Sequence, residues 1–174
     1  MKKLQSLTFL VFALLITACS SQLTKDIEVD SALDPKADLQ GYKTYAWLAA
    51  GMLLNDPEGK WQAAKYDISS DIKFNIDKEL RVRNIVEVPA QNADVAISFF
   101  TGVDMEAQGL KYDPKKEVEV PANVPKAALM VVAIDTETGF VIWVGMAKGD
   151  YREGSTVEET KIRIEYAIHK MFNK

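Results

Sequence analysis

The chain of 174 residues holds one cysteine, Cys19, and one histidine, His169, and these are its strongest candidates for a nucleophile and a base. A lone histidine leaves a Ser-His-Asp arrangement no alternatives and excludes a metal site built from several imidazoles. His169 falls in the last turn of the final helix, where an imidazole favours the carbonyl end of the helix dipole. It is expected on the surface rather than in a catalytic pair. The carboxylate pairs Asp104 with Glu106 and Asp135 with Glu137 could serve glycosidase chemistry only if they flanked a cleft at about 5–9 Å. The first pair reads as loop and the second as hairpin turn, where Asp is favoured for turn geometry. Asp135-x-Glu137 also lacks the remaining oxygens of a calcium loop. Gly139, Gly145, Gly149 and Gly154 match neither phosphate-loop nor dinucleotide spacing. Trp47 and Trp143 lie in expected strands and read as core, while Trp61, between Lys60 and Gln62, is the candidate for surface binding. No catalytic residue, cofactor or metal is expected.

Cys19 has a different chemistry in its context. Lys2 and Lys3 precede an apolar run from Leu7 to Ile16, and small residues come after it, the parts of a signal peptide in order. The run is about ten residues, whereas a spanning helix needs roughly 20. An uncleaved anchor is therefore disfavoured, and an ordinary secretory signal cut near Ala18 is the other alternative. Ile16-Thr17-Ala18-Cys19 resembles a lipobox, which implies cleavage before Cys19 by lipoprotein signal peptidase, with Ile16, Thr17 and Ala18 recognised. A lone thiol cannot form an intrachain disulfide and would be a liability in an oxidising compartment. As a lipidation site it has a use, and acylation would remove it from any Cys-His pair. Bacterial lipoproteins, which this leader resembles, carry several acyl chains, and stable residence needs more than one. Ser20, in place of an inner-membrane-retaining aspartate, implies the outer membrane.

Composition bounds the chain beyond the leader. Apolar residues make up 48% and charged residues 26%, ordinary for a globular domain. The formal charge is −4, and loss of Lys2 and Lys3 takes the remainder to −6. Such a domain is repelled by phosphate backbones, so nucleic acid is not an expected partner. The expected organisation is a signal peptide over residues 1–18, a tether over 19–26 and one domain over 27–174.

Along that domain the periodicity changes several times. Ile27, Val29 and Ala32 suggest a short strand ending at Asp34-Pro35, and Gly41 to Leu48 reads as a second. Ala49 to Leu54 has no clear assignment. Ile68, Ile72, Ile76 and Leu80 recur every four residues, the stripe of an amphipathic helix from Asp67 to about Leu80, with Phe74 outside it. Arg83-Asn84 is a turn, Ile85 to Val88 a short strand, and Asp94 to Gly102 an alternating strand. Asp104 to Pro125 reads mostly as loop, with Glu117 to Val120 as an edge strand. Ala127 to Ile134 is apolar throughout and predicts a central strand covered on both faces. Asp135 to Gly139 turns it into a return strand, Phe140 to Ala147. Ser155 or Thr156 caps a last helix, Glu158 completing a capping box, and Val157, Ile164, Ala167, Ile168 and Met171 mark its buried stripe. The expected fold is α+β: a mostly antiparallel sheet with two helices packed on one face, preceded by a cleaved lipoprotein signal peptide.

Three segments resemble the lipoproteins of domain-of-unknown-function family 4136: Tyr42-Lys43-Thr44-Tyr45-Ala46-Trp47, Ala93-Asp94-Val95-Ala96-Ile97 and the hairpin Asp135 to Gly145. The resemblance runs from about Ile27 to the end, departing at Val144, where arginine is frequent, and at Met171 to Lys174, which lacks the family's Phe-Pro. It implies no reaction, ligand or catalytic residue. The expectation is a membrane-anchored, periplasm-facing lipoprotein of the outer membrane. Its domain binds or scaffolds, with an envelope protein as partner and the membrane held through the N-terminal lipid. A cell-envelope hydrolase acting on cell-wall material and a carrier of small apolar ligands are the alternatives. A deep apolar cavity would favour the carrier, converging carboxylates the hydrolase, and a filled core with an exposed edge strand the scaffold.

Overall fold

The computed structural model describes residues 22–37, 41–63 and 66–174; the expected leader, with Ile16, Thr17, Ala18 and Cys19, lies outside the described residues. Among these, the elements run β1 (Glu28–Leu33), β2 (Thr44–Asn55), α1 (Ile68–Val82), β3 (Val86–Glu87), β4 (Val95–Asp104), β5 (Gln108–Asp113), β6 (Val118–Asn123), β7 (Lys126–Asp135), β8 (Val141–Asp150) and α2 (Val157–Phe172). Six strands form a sheet in the order β1-β8-β7-β4-β2-β3, and β5 pairs with β6 apart from it. Neighbours from β1 to β4 are antiparallel, as are β5 and β6. β2 runs parallel to β3 and β4. Parallel strands need a long crossover, and α1 supplies it. The fold is α+β with a mostly antiparallel sheet.

One core holds the layers together. α1 contributes Ile72, Ile76 and Leu80, and α2 contributes Ala167, Ile168 and Met171. They meet Tyr45, Val95, Ile97, Phe99, Leu129, Val131, Ala133 and Ala147 of the sheet. The ladder pairs Ile97 with Ala133 and Phe99 with Val131, so these side chains share one face. The opposite face carries Ala96, Phe100, Met130, Val132 and Val144, all half-exposed. β7 is interior to the sheet but is not covered on both faces as expected. Both helices lie on the same side, so only Leu129, Val131 and Ala133 of β7 are buried.

The helix ends follow capping chemistry. Asp67 accepts from the Ser69 N–H at 2.9 Å to start α1. Asn84, at φ 60°, ends it: Ile85 N–H donates to Leu80 O at 3.0 Å and Asn84 N–H to Arg81 O at 2.9 Å, a Schellman closure. At α2 the cap is Thr156 and the box closes on Glu159, not on Ser155 and Glu158. Val157, the first residue of α2, is 45% exposed rather than part of the buried stripe.

Two further expectations are corrected. β2 continues through Ala49–Leu54, which had no assignment because its alternation is broken by a bulge between Trp47 and Ala49. Asp104 to Pro125, read mostly as loop, holds the β5–β6 hairpin, turned at Asp113, whose backbone carbonyl accepts from the Lys116 and Glu117 N–H groups. Val118 to Val120 belongs to this hairpin, not to the main sheet. Its Pro121 is tolerated because both strands of a two-stranded sheet are edges.

Truncation inside the shared core is expected to be costly. Ile76→Ala should lower unfolding free energy by about 2–5 kcal/mol in urea titrations, whereas Phe74→Ala, at 67% exposure, should stay within about 0.5 kcal/mol.

Candidate functional site

The two helices lie side by side and parallel, because their cross-links advance together. Asp71 pairs with Lys161 at 3.9 Å, Lys78 with Glu165 at 2.9 Å and Glu79 with His169 at 2.8 Å. Glu79 is buried at 7% exposure between them. Its carboxylate accepts from Arg83 Nη1 at 2.8 Å and from Asn173 Nδ2 at 3.4 Å, besides facing His169 Nδ1. Burial alone would raise the Glu79 pKa, but the hydrogen bonds from His169 and Arg83 outweigh it and the group is held below the ordinary value. Beside it an open cleft of about 740 Å³ is lined by Thr24, Asn75, Glu165, Tyr166 and the exposed face of His169, among others.

A carboxylate holding one imidazole nitrogen leaves the other free to act as a base, provided a nucleophile lies within reach. Among the described residues, serine and cysteine do not line the cleft, whose hydroxyls come from Thr24 and Tyr166. Clustered metal-ligating side chains are also lacking among the described residues. The cleft is open to solvent and edged by Lys25, Glu79 and Glu165, unlike the deep apolar cavity that an apolar cargo requires.

Next to the cleft, on the N-terminal half of α2, the chain N-terminal to β1 is fastened down. Arg163 grips Asp26 with two bonds of 2.8 and 2.7 Å, and Arg152 adds a third at 2.7 Å. The Asp150 N–H donates to the same carboxylate at 2.8 Å, and Arg163 also bonds the Leu23 carbonyl. The side-chain hydrogen bond from Arg163, opposed in part by burial, drives Asp26 well below the carboxylate range. Gly149 makes the clasp fit: a Cβ there would lie 2.8 Å from Arg163 Nη2 and 3.0 Å from Asp26 Oδ2. Leu23–Asp26, the last residues of the expected tether, are thus bound to the domain.

The other candidates are dispersed. Asp104 accepts from Asn55 Nδ2 at 2.8 Å and the Glu106 N–H at 3.0 Å. Asp135 accepts from Tyr42 Oη at 2.7 Å and from Thr138. Both pairs therefore build turns. Trp47 packs edge-on against Tyr45 and Phe99, and Trp143 against Phe172 at 4.8 Å. Trp61 is half-buried in the loop after β2, its backbone N–H donating to Asp56 at 2.7 Å. The Glu79–His169 pairing was not read from sequence, since its members lie 90 residues apart. Polar Asn75 and Glu79, spaced by four beside the isoleucine stripe, were the available signal.

The profile of the family described as domain of unknown function (DUF4136) matches residues 29–174. No curated protein matches the chain with significance. Among solved structures, a DUF4136 family protein from Bacteroides thetaiotaomicron is similar at TM-score 0.56 and 12% identity, covering 85% of this chain and 95% of that one. The PelC dodecamer from Paraburkholderia phytofirmans gives TM-score 0.43 and 15% identity, over 83% and 96%. Lipoprotein GNA1162 from Neisseria meningitidis gives 0.38 and 11%, over 75% and 99%.

Because Asp26 has a lowered pKa in the folded state, its stabilisation is complete above the unfolded value near 4 and is lost as pH falls toward the folded value. Acid titration of thermal stability should show this loss below about pH 4, and Asp26→Asn should remove that component. Asp26→Ala should cost about 3 kcal/mol at neutral pH, because it leaves the half-buried Arg163 unpaired.

Proposed function

The chain belongs to the DUF4136 family, and from that premise we propose that it is a lipid-anchored protein of the bacterial outer membrane whose periplasm-facing domain scaffolds an envelope partner and catalyses no reaction. The observation that carries the scaffolding half is the outer edge of β2. β3 pairs only with Thr44 and Tyr45, and beyond Tyr45 that edge has no strand partner among the described residues. An uncharged, unpaired edge is a template for another chain.

The anchoring half rests on Lys2-Lys3, the apolar run and Ile16–Cys19. No helix among the described residues is long and apolar enough to cross a membrane. The Asp26 clasp gives the anchor a short reach. Leu23 is four positions after Cys19, no more than roughly 14 Å of extended chain, so an acylated Cys19 would hold the α2 side of the domain close to the bilayer. A hydrolase reading would rest on Glu79 and His169, but among the described residues no serine or cysteine lines the cleft for such a base to activate.

Radiolabelled palmitate is expected to enter the wild-type chain in intact cells. Cys19→Ala should be unlabelled and should accumulate as precursor. An unlabelled wild type that partitions as a freely soluble protein would refute the anchor.

A further inference from the structure

The two edges of the six-stranded sheet are treated differently. β1 is guarded: Glu28 and Asp30 lie along it, and Lys174 Nζ bonds the Val29 carbonyl at 2.7 Å and the Asp30 carboxylate at 2.9 Å. Charges of this kind discourage strand addition. The free edge of β2 runs from Trp47 to Asn55 with no charge and no proline. Leu48 is 63% exposed, Met52 47%, Leu53 69% and Leu54 48%.

The direction of the backbone groups follows from the ladder. Lys43 and Tyr45 carbonyls accept from Val86 and Val88, toward β3. Past the bulge, the Asn55 carbonyl accepts from Met105, toward β4. Alternation then turns the N–H and C=O groups of Ala50, Met52 and Leu54 to the open edge.

We propose that this edge is the self-association surface of the protein, pairing antiparallel with a second copy about a two-fold axis at Gly51. The inference takes the scaffolding reading further by naming the occupant. Three features select a copy of this chain. The open stretch, Trp47 to Asn55, is centred on Gly51, and the chain turns away at Asp56, so a partner of the same length fits between that turn and β3. About that centre, small residues meet large ones: Ala49 faces the partner's Leu53, Ala50 faces the partner's Met52, and Gly51 faces its own copy. Ala50 and Met52 both aim their hydrogen-bonding groups outward, so each pair of them exchanges two bonds, with Gly51 at a non-bonded position.

The bulge at Trp47/Ala49 limits the regular ladder to Ala49–Leu53 of each copy, which is symmetric about Gly51. Such a contact is isologous and closed, which also removes the aggregation hazard of a bare edge.

The test uses the full chain in its cell envelope, in two epitope-tagged copies, with a photoreactive phenylalanine in place of Leu53 and, as control, of Phe140. Irradiation should join the two tags from Leu53 and not from Phe140. Met52→Lys with Leu54→Lys, which sets like charges across the axis, should cut the yield about tenfold or more. Both residues are exposed, so circular dichroism and thermal midpoint should be unchanged, separating loss of pairing from loss of fold. Adducts from Leu53 that contain only other polypeptides would overturn the self-pairing and leave the scaffold. Absence of any adduct, or equal yield from both positions, would overturn both. The palmitate experiment is independent of either result.

Discussion

Both helices cover the same face of the six-stranded sheet, and this one-sided burial governs what the rest of the chain must do. Ile72, Ile76, Ile168 and Met171 fill the inner face with almost no exposure. At about 1.5–3 kcal/mol for each fully buried large side chain, that face supplies the dominant stabilisation. Among the described residues nothing comparable covers the other side, so the residues there are small, half-exposed or shielded by neighbours. Phe100 does so locally: its ring lies over Gly51, where a Cβ would come within 2.9 Å of it. The parallel pair β2–β4 completes the pattern, since it requires α1 to cross over and lie on the inner face.

Fixing the termini is a separate electrostatic task. The N-terminal segment is tied by Asp26 to Arg163 and Arg152, and the C-terminus by Lys174 to β1. Both ties converge on the β1 side of the sheet. They hold a six-residue edge strand whose one ladder partner among the described residues is β8, and whose side chains are half-exposed or exposed. Breaking either tie would act first on β1 and only indirectly on the helical core.

Much of this was legible in the residues. The i, i+4 isoleucines located α1, the alternation of Val95, Ile97 and Phe99 gave β4 its buried face, and Asp135–Gly139 marked the hairpin. What escaped reading has physical causes. A bulge at Trp47/Ala49 shifts the side-chain phase, so Ala49–Leu54 lost its strand signature. Proline and glycine in Asp104–Pro125 suited loop and two-stranded hairpin equally. An apolar run such as Ala127–Ile134 states that a strand is interior to the sheet, not how many layers cover it. The capping box was misplaced by one because Ser155-x-x-Glu158 and Thr156-x-x-Glu159 overlap. The Glu79–His169 contact needed the helix pairing itself, which no local pattern encodes.

That contact has a structural explanation in the helices. Parallel helices bring both carbonyl ends together, and each end carries about half a negative charge. Glu79, buried in the last turn of α1, adds a full one. Left alone, this arrangement would be unfavourable on two counts, desolvation and like charge. Arg83 answers both: it bonds the Glu79 carboxylate and backbone carbonyl and reaches across to the Phe172 carbonyl at the end of α2. His169 supplies a second donor from the facing helix when its Nδ1 carries the proton, and Asn173 a third. Every member of the cluster is thus accounted for by the neutralisation of two adjacent helix termini. The geometry at Glu79 is that of a structural lock.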